Sequence, residues 1–231
     1  PIGERELGAY RELVRRRAKE RWPVAYLTGV REFWSMQFRV TPDVLIPRPE
    51  TETLVRVAVD LKPRRVAELG IGSGCVSAAL ARELPDAEIV ALDCSPAALE
   101  IARQNLAELG FADRVTLVEA SGLGELSGPF DLVVSNPPYV QEGDLAGLAP
   151  ELRHEPRVAL DGGPDGLHAV RRLCAEAPAL RERPGHLALE IGLGQADAVE
   201  ELLRASGAAV VERYPDLAGI PRVVVGRFLE I

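Results

Sequence analysis

From Arg65 to Phe228 the chain alternates short apolar runs with longer helical stretches, and this alternation narrows its fold more than any other feature. Apolar runs bounded by turn residues read as strands, and apolar residues at a 3.6-residue period read as helices. The pattern predicts strands at 65–69, 88–93, 114–119, 130–135, 186–191, 208–214 and 222–228. It predicts helices at 75–84, 96–110, 165–183 and 195–206, the second closing at Gly110 as its C′ residue. Strands joined by helical crossovers pair in parallel. The last connection carries Pro215, Gly219 and Pro221 and is too short for a crossover, so the final pair is antiparallel. The expected fold is α/β: a mostly parallel, doubly wound sheet with helices on both faces and an antiparallel last strand at its edge.

Ahead of the sheet, residues 3–20 read as a charged helix that Trp22-Pro23 ends. Residues 29–41 read as a short hairpin, with Gly29 and Ser35 permitting its turns. Pro42, Pro47 and Pro49 stiffen an extended segment. Glu50 to Leu61 then reads as a helix with Leu54, Val55, Ala58 and Leu61 on one face.

Composition removes several classes of function. No apolar run approaches the roughly 20 residues that span a bilayer, and the first twenty residues are too charged for a secretory signal. The three cysteines, Cys75, Cys94 and Cys174, and the three histidines, His154, His168 and His186, show no metal-ligand or disulfide-framework spacing. A metal-free, cytoplasmic protein is expected. The net charge of −8 argues against a sequence-independent grip on nucleic acid. The one locally basic stretch, "RELVRRRAKER", reads as a solvated helix face.

The first predicted strand runs into "ELGIGSG". Gly70, Gly72 and Gly74 allow a tight turn and let the backbone approach a ligand beyond the strand ends. The next strand ends in Asp93, whose carboxylate can accept from both hydroxyls of a ribose. Together they indicate a nucleoside-containing cofactor. The glycine spacing is GxGxG rather than the GxGxxG of dinucleotide sites. Acidic Glu68, just ahead of the loop, repels a pyrophosphate but suits a ligand that bears an ammonium and a sulfonium. S-adenosylmethionine carries both. Cofactor contacts are expected from Glu68, Gly70, Ile71, Gly72, Ser73, Gly74, Asp93 and Asn136.

"SNPPY" closes the strand at 130–135, on the same rim. The prolines remove donors and fix the chain beside Asn136. Suppose the acceptor is a planar nitrogen, of an amide or an aromatic amine. Its lone pair is delocalised, so two acceptors aimed at its NH₂ protons serve better than a charged base. The side-chain oxygen of Asn136 and the carbonyl of Pro137 supply that pair, and Tyr139 can stack on a planar group. Asn136, Pro137, Pro138 and Tyr139 are therefore the candidate catalytic and substrate-binding residues.

With these residues in view, the chain resembles the HemK/PrmC family, the protein-(glutamine-N5) methyltransferases that modify peptide chain release factors. The likeness runs through "PVAYLTGVREFW", "VLIPRPETE", "ELGIGSG", Asp93, "SNPPY", "EPRVAL", "GGPDGL", "LALEIG" and "DLAGIPRVVVGR". It implies a Rossmann-like, S-adenosylmethionine-dependent methyltransferase domain over 46–231, a linker hairpin over 25–45 and a helical N-terminal segment over 1–24, shorter than the family's usual N-terminal domain. It implies methyl transfer to the glutamine amide of a release factor's Gly-Gly-Gln motif. A monomer is expected, with no direct nucleic-acid binding and no membrane. Arg48 and Glu50 are candidates near the active site, either in direct contact with substrate or as an ion pair between hairpin and helix. Related sequences often carry an Asp-aromatic pair where this chain has Ser121 and Gly122, so Leu123 is expected to cover the adenine instead. An adenine-N6 methyltransferase shares the loop chemistry and is the alternative, although such enzymes usually add a basic recognition module. A non-catalytic binding module on the same scaffold is a further one.

Overall fold

The computed structural model describes residues 3–126, 128–177 and 185–229. Two helices, α1 (Glu4–Lys19) and α2 (Val24–Thr28), lead into a hairpin of β1 (Val30–Phe33) and β2 (Met36–Arg39). The five-residue α2 was not expected. It fits between Pro23 at its N-cap and Gly29, which ends it in the left-handed region at φ 76°. A single 3₁₀ turn, Pro49–Thr51, then opens α3 (Glu52–Asp60).

The main sheet is built from β3 (Arg65–Leu69), β4 (Glu88–Asp93), β5 (Val115–Glu119), β6 (Leu132–Ser135), β7 (His186–Glu190), β8 (Val210–Pro215) and β9 (Pro221–Arg227). The connecting helices are α4 (Cys75–Glu83), α5 (Pro96–Glu108), α6 (His168–Glu176) and α7 (Ala196–Ala205). The part of the expected 165–183 helix beyond residue 177 lies outside the described residues. Strand order is β5-β4-β3-β6-β7-β9-β8. One expectation needs correction: the antiparallel last strand is not the edge. The hairpin that joins β8 to β9 turns the chain back so that β9 inserts beside β7, pairing Leu189 with Val224, and leaves β8 outermost.

The sheet's two-residue period assigns its core. Val66, Leu132, Val134 and Ala188 face α3, α4 and α5 in one apolar layer. Ala67, Val133, Leu187 and Leu189 face α6 and α7 in the other. Burial on both faces explains why these strands read as unbroken apolar runs. Among the described residues no helix is long and apolar enough to cross a membrane.

Candidate active site

Where the strand order reverses, the carboxyl ends of β3, β4 and β6 border a cavity of about 330 Å³. Helices leave the strand ends in opposite directions at such a switch point, which opens a crevice for ligands. Gly70, Ile71, Gly72 and Ser73 line it. Gly70 and Gly72 hold φ of 81° and 54°, and a Cβ on either would meet no protein atom within 4 Å. Their lack of side chains keeps backbone open to whatever fills the cavity. Gly74 has a different task. It lies outside the cavity lining and opens α4, with its backbone against Ala102 of α5; a Cβ there would sit 3.4 Å from that of Ala102.

Asp93 lines the cavity from the end of β4. Its Oδ2 accepts from the backbone N–H of Gly72 at 3.0 Å and its Oδ1 from that of Ser95 at 2.9 Å. These bonds fix the carboxylate and leave each oxygen further lone pairs. Glu68 also lines the cavity at 3% exposure and accepts a hydrogen bond from the Ser77 hydroxyl. Burial pushes its pKa up to about 8, against the Ser77 hydrogen bond, which lowers it. Open glycine backbone, a fixed carboxylate and a buried acid make a donor set that fits a ligand with hydroxyls and cationic groups.

Asn136 follows β6 and lines the cavity with Pro137 and Pro138. Its Nδ2 donates to Thr51 Oγ1 at 3.2 Å. Among the described residues no donor reaches Asn136 Oδ1 or the Pro137 carbonyl. Tyr139 lies outside the lining. Its ring is close to Gly192, where a Cβ would come within 3.1 Å of Cδ2. Burial, then the charge of Glu190, raises the pKa of its phenol.

The chain around residues 160–166 grips this loop through backbone. Val140 N–H donates to Leu160 at 2.9 Å, Gly162 N–H to Val140 at 2.8 Å and Glu142 N–H to Gly163 at 2.9 Å. Gln195 Nε2 donates to the carbonyls of Tyr139 and Gly166 at 3.1 and 3.2 Å. A Cβ on Gly162 would lie 2.8 Å from the Pro138 oxygen, and one on Gly166, at φ 75°, would overlap the Tyr139 oxygen. Gly162 and Gly166 of "GGPDGL" are therefore a condition for holding "NPPY". Gly166→Ala is expected to cut turnover about tenfold or more by shifting the loop, because a misplacement near 1 Å is costly to catalysis. Steady-state kinetics on the variant checks this; wild-type turnover would mean the loop is positioned by something else.

The chain's relatives show its family. A family model described as methyltransferase small domain matches residues 49–163. A release factor glutamine methyltransferase of Geobacter sulfurreducens is 45% identical, over 98% of this chain and 80% of its own length. That of Moorella thermoacetica is 47% identical, over 93% and 78%. The chain belongs to the release factor glutamine methyltransferase family. Solved structures share the fold at lower identity. The N-terminal domain of human METTL16 in complex with SAH gives a TM-score of 0.62 at 16% identity, over 98% of this chain and 84% of that one. A ribosomal protein L11 methylase of Lactobacillus delbrueckii gives 0.51 at 22%, over 83% and 86%.

Five of the segments that carry the resemblance to this methyltransferase family, "VLIPRPETE", "ELGIGSG", Asp93, "SNPPY" and "EPRVAL", meet around the cavity. "LIPRPETE" brings Arg48 and Thr51 to its wall. Arg48 pairs with Glu155 of "EPRVAL", whose other oxygen accepts from Ile46 N–H at 3.1 Å. The ion pair thus ties the segment to the chain after "NPPY", and Arg48 faces the cavity as well. Glu50 is exposed and does not line it. Leu123 is fully buried in the core under α6, so it cannot cover a ligand. Arg172 of α6 lines the cavity there instead, beside Ser121. Its guanidinium, held by Glu176 at 2.6 Å, occupies the space that a side chain at Gly122 would take. Sequence reasoning missed Thr51, Glu155, Arg172 and Glu190. An acid inside the apolar run "LALEIG" is a signal for Glu190, since acids are rarely buried without a task. Arg172 offered none, being one of many arginines on predicted helices.

Proposed function

We propose that this protein transfers a methyl group from S-adenosylmethionine to the side-chain amide nitrogen of the glutamine in the Gly-Gly-Gln motif of a peptide chain release factor. The observation that carries the reading is a pair of acceptors that no donor reaches among the described residues, Asn136 Oδ1 and the Pro137 carbonyl, on the rim of the cavity that Gly70, Gly72 and Asp93 line. Family membership with enzymes named for this reaction supports it. Bound S-adenosylmethionine supplies an electrophilic methyl on a sulfonium. Asp93 accepts from the ribose hydroxyls, Gly70 and Gly72 give the ligand backbone access, and Glu68 offsets its positive charge. Arg172 closes the adenine end, where a planar guanidinium can lie on a ring face.

At the other end, Asn136 Oδ1 and the Pro137 carbonyl hold the two N–H groups of the glutamine amide. This orients the nitrogen lone pair for in-line attack. The nitrogen would gain the methyl and lose one proton to solvent, while the sulfonium S–C bond would break with its electron pair left on sulfur as the thioether of S-adenosylhomocysteine. Positioning by fixed dipoles supplies several kcal/mol of the barrier lowering.

The experiment is direct. The protein is incubated with labelled S-adenosylmethionine, a recombinant release factor and an adenine-bearing DNA and RNA control, and the methyl is located by peptide mass spectrometry. Label on the Gly-Gly-Gln glutamine is expected. Label confined to the nucleic acid would replace this reading with adenine methylation.

Glu68 makes cofactor binding pH-dependent. With its pKa near 8 it is mostly protonated at neutral pH in the free protein. A cation beside it favours the carboxylate, so binding releases a proton and affinity rises with pH up to about 8. Calorimetry in buffers of different ionisation enthalpy should give different heats, a difference that Glu68→Gln abolishes. Identical heats for the wild-type protein would remove Glu68 from the charge balance.

A further inference from the structure

Glu190 ends β7 at 1% exposure, and among the described residues neither of its oxygens has a hydrogen-bond partner of ordinary geometry, although the Thr51 hydroxyl is near enough to lower its pKa. A buried carboxylate without a partner is costly, so its presence asks for a reason. Its place in the sheet suggests one. Ser135 pairs with Leu189, so the next residues, Asn136 and Glu190, leave neighbouring strands side by side. Close to both is Thr51, 2% exposed, whose hydroxyl accepts from Asn136 Nδ2 at 3.2 Å. A hydroxyl that accepts from Asn136 still has its own proton to give.

We propose that Glu190 is a positioning residue: its carboxylate accepts a hydrogen bond from the Thr51 hydroxyl, which obliges Thr51 to accept from Asn136 Nδ2 and so turns Asn136 Oδ1 toward the acceptor amide. The inference rests on the reading of Asn136 given under Proposed function. The two ends of a carboxamide have nearly the same shape, and only the hydrogen bonds around them choose between orientations. A flipped Asn136 would set its NH₂ against the NH₂ of the glutamine, donor against donor. An acceptor-only group behind Thr51 excludes that state.

The charge of Glu190 is set by its surroundings. Burial raises its pKa to about 7; the Thr51 hydroxyl, Arg222 and Arg48 lower it, and Glu50 raises it. Tyr139 and Cys75 also feel its charge. Protonated, Glu190 can donate to Thr51 and permits the flipped amide. Turnover should therefore fall on the acid side of about pH 7.

The test uses the side-chain amide signal of Asn136 in the ¹⁵N-labelled protein with S-adenosylhomocysteine, identified by its loss in Asn136→Ala. In the wild-type protein the signal should be protected from exchange and titrate near pH 7. Glu190→Gln should lose the titration, Thr51→Val the protection, and Thr51→Ser should keep both. In kinetics, Glu190→Met and Thr51→Val should lower kcat about tenfold or more with KM and cofactor affinity changed less than about twofold, the pattern of a group that acts in the transition state. Glu190→Gln retains an acceptor oxygen and should recover part of kcat while losing the acid limb. Glu190→Met replaces a buried charge by an apolar chain of similar length, so its thermal midpoint above pH 7 should match or exceed the wild type's. An Asn136 signal indifferent to Glu190 and Thr51 would overturn the proposal. If that signal titrates but no release factor glutamine is methylated, the proposed reaction fails and the positioning stands. Methylation with an indifferent signal gives the reverse.

Discussion

Asn136→Ala is expected to lower methyl transfer by about two to three orders of magnitude, the usual loss when one preorganised dipole is removed from a reacting group. Cofactor affinity should change by less than about twofold, because the glycine loop and Asp93 remain intact. Asn136 is only partly buried, and among the described residues the bond it loses is the one it donates to Thr51. The fold therefore has little reason to fail. The pair of measurements is turnover on a release factor and calorimetry with S-adenosylhomocysteine. Unchanged turnover would remove Asn136 from the acceptor site. An equal loss in both would make it part of the cofactor site alone.

Asp93→Ala is the complementary result. Its carboxylate accepts two backbone N–H bonds, from Gly72 and Ser95, and lines the cavity. Removal deletes the ribose acceptor and frees the loop that approaches the cofactor. Hydrogen bonds to a charged group are worth about 1.5–3 kcal/mol each. A loss of one such bond to the ligand corresponds to a weakening of about ten- to a hundredfold, read by calorimetry. Asp93→Asn offers a single acceptor oxygen and should fall between. Affinity that survives Asp93→Ala would place the ribose elsewhere.

Much of this was legible before any coordinates. Strand and helix identity follows from local periodicity, which is why β3, β4 and α4 begin and end within a residue or so of the expected positions. Gly70, Gly72 and Asn136 were legible for a similar reason: the demand each meets is on its own backbone or strand end. The place of Asp93 on the cavity wall was legible because a strand end in a parallel sheet has a defined place.

What the tertiary structure decided depends on which distant segments meet. Periodicity says that β9 is a strand but not that it enters between β7 and β8, because pairing is chosen by the turn and by both apolar layers together. Three glycines in one loop look alike in sequence, yet only the packing of Ala102 tells that Gly74 serves α5 and not the cavity. Tyr139 was expected to face a substrate, and its sequence could not say that its ring would also pack against Gly192. Thr51, Asn136 and Glu190 come from three separate parts of the chain, and Arg172 reaches the cavity from a fourth. Local propensity places each on its element. Only the register of β6 against β7, and the seat of α3 over them, brings an alcohol, an amide and a buried acid within reach of one another.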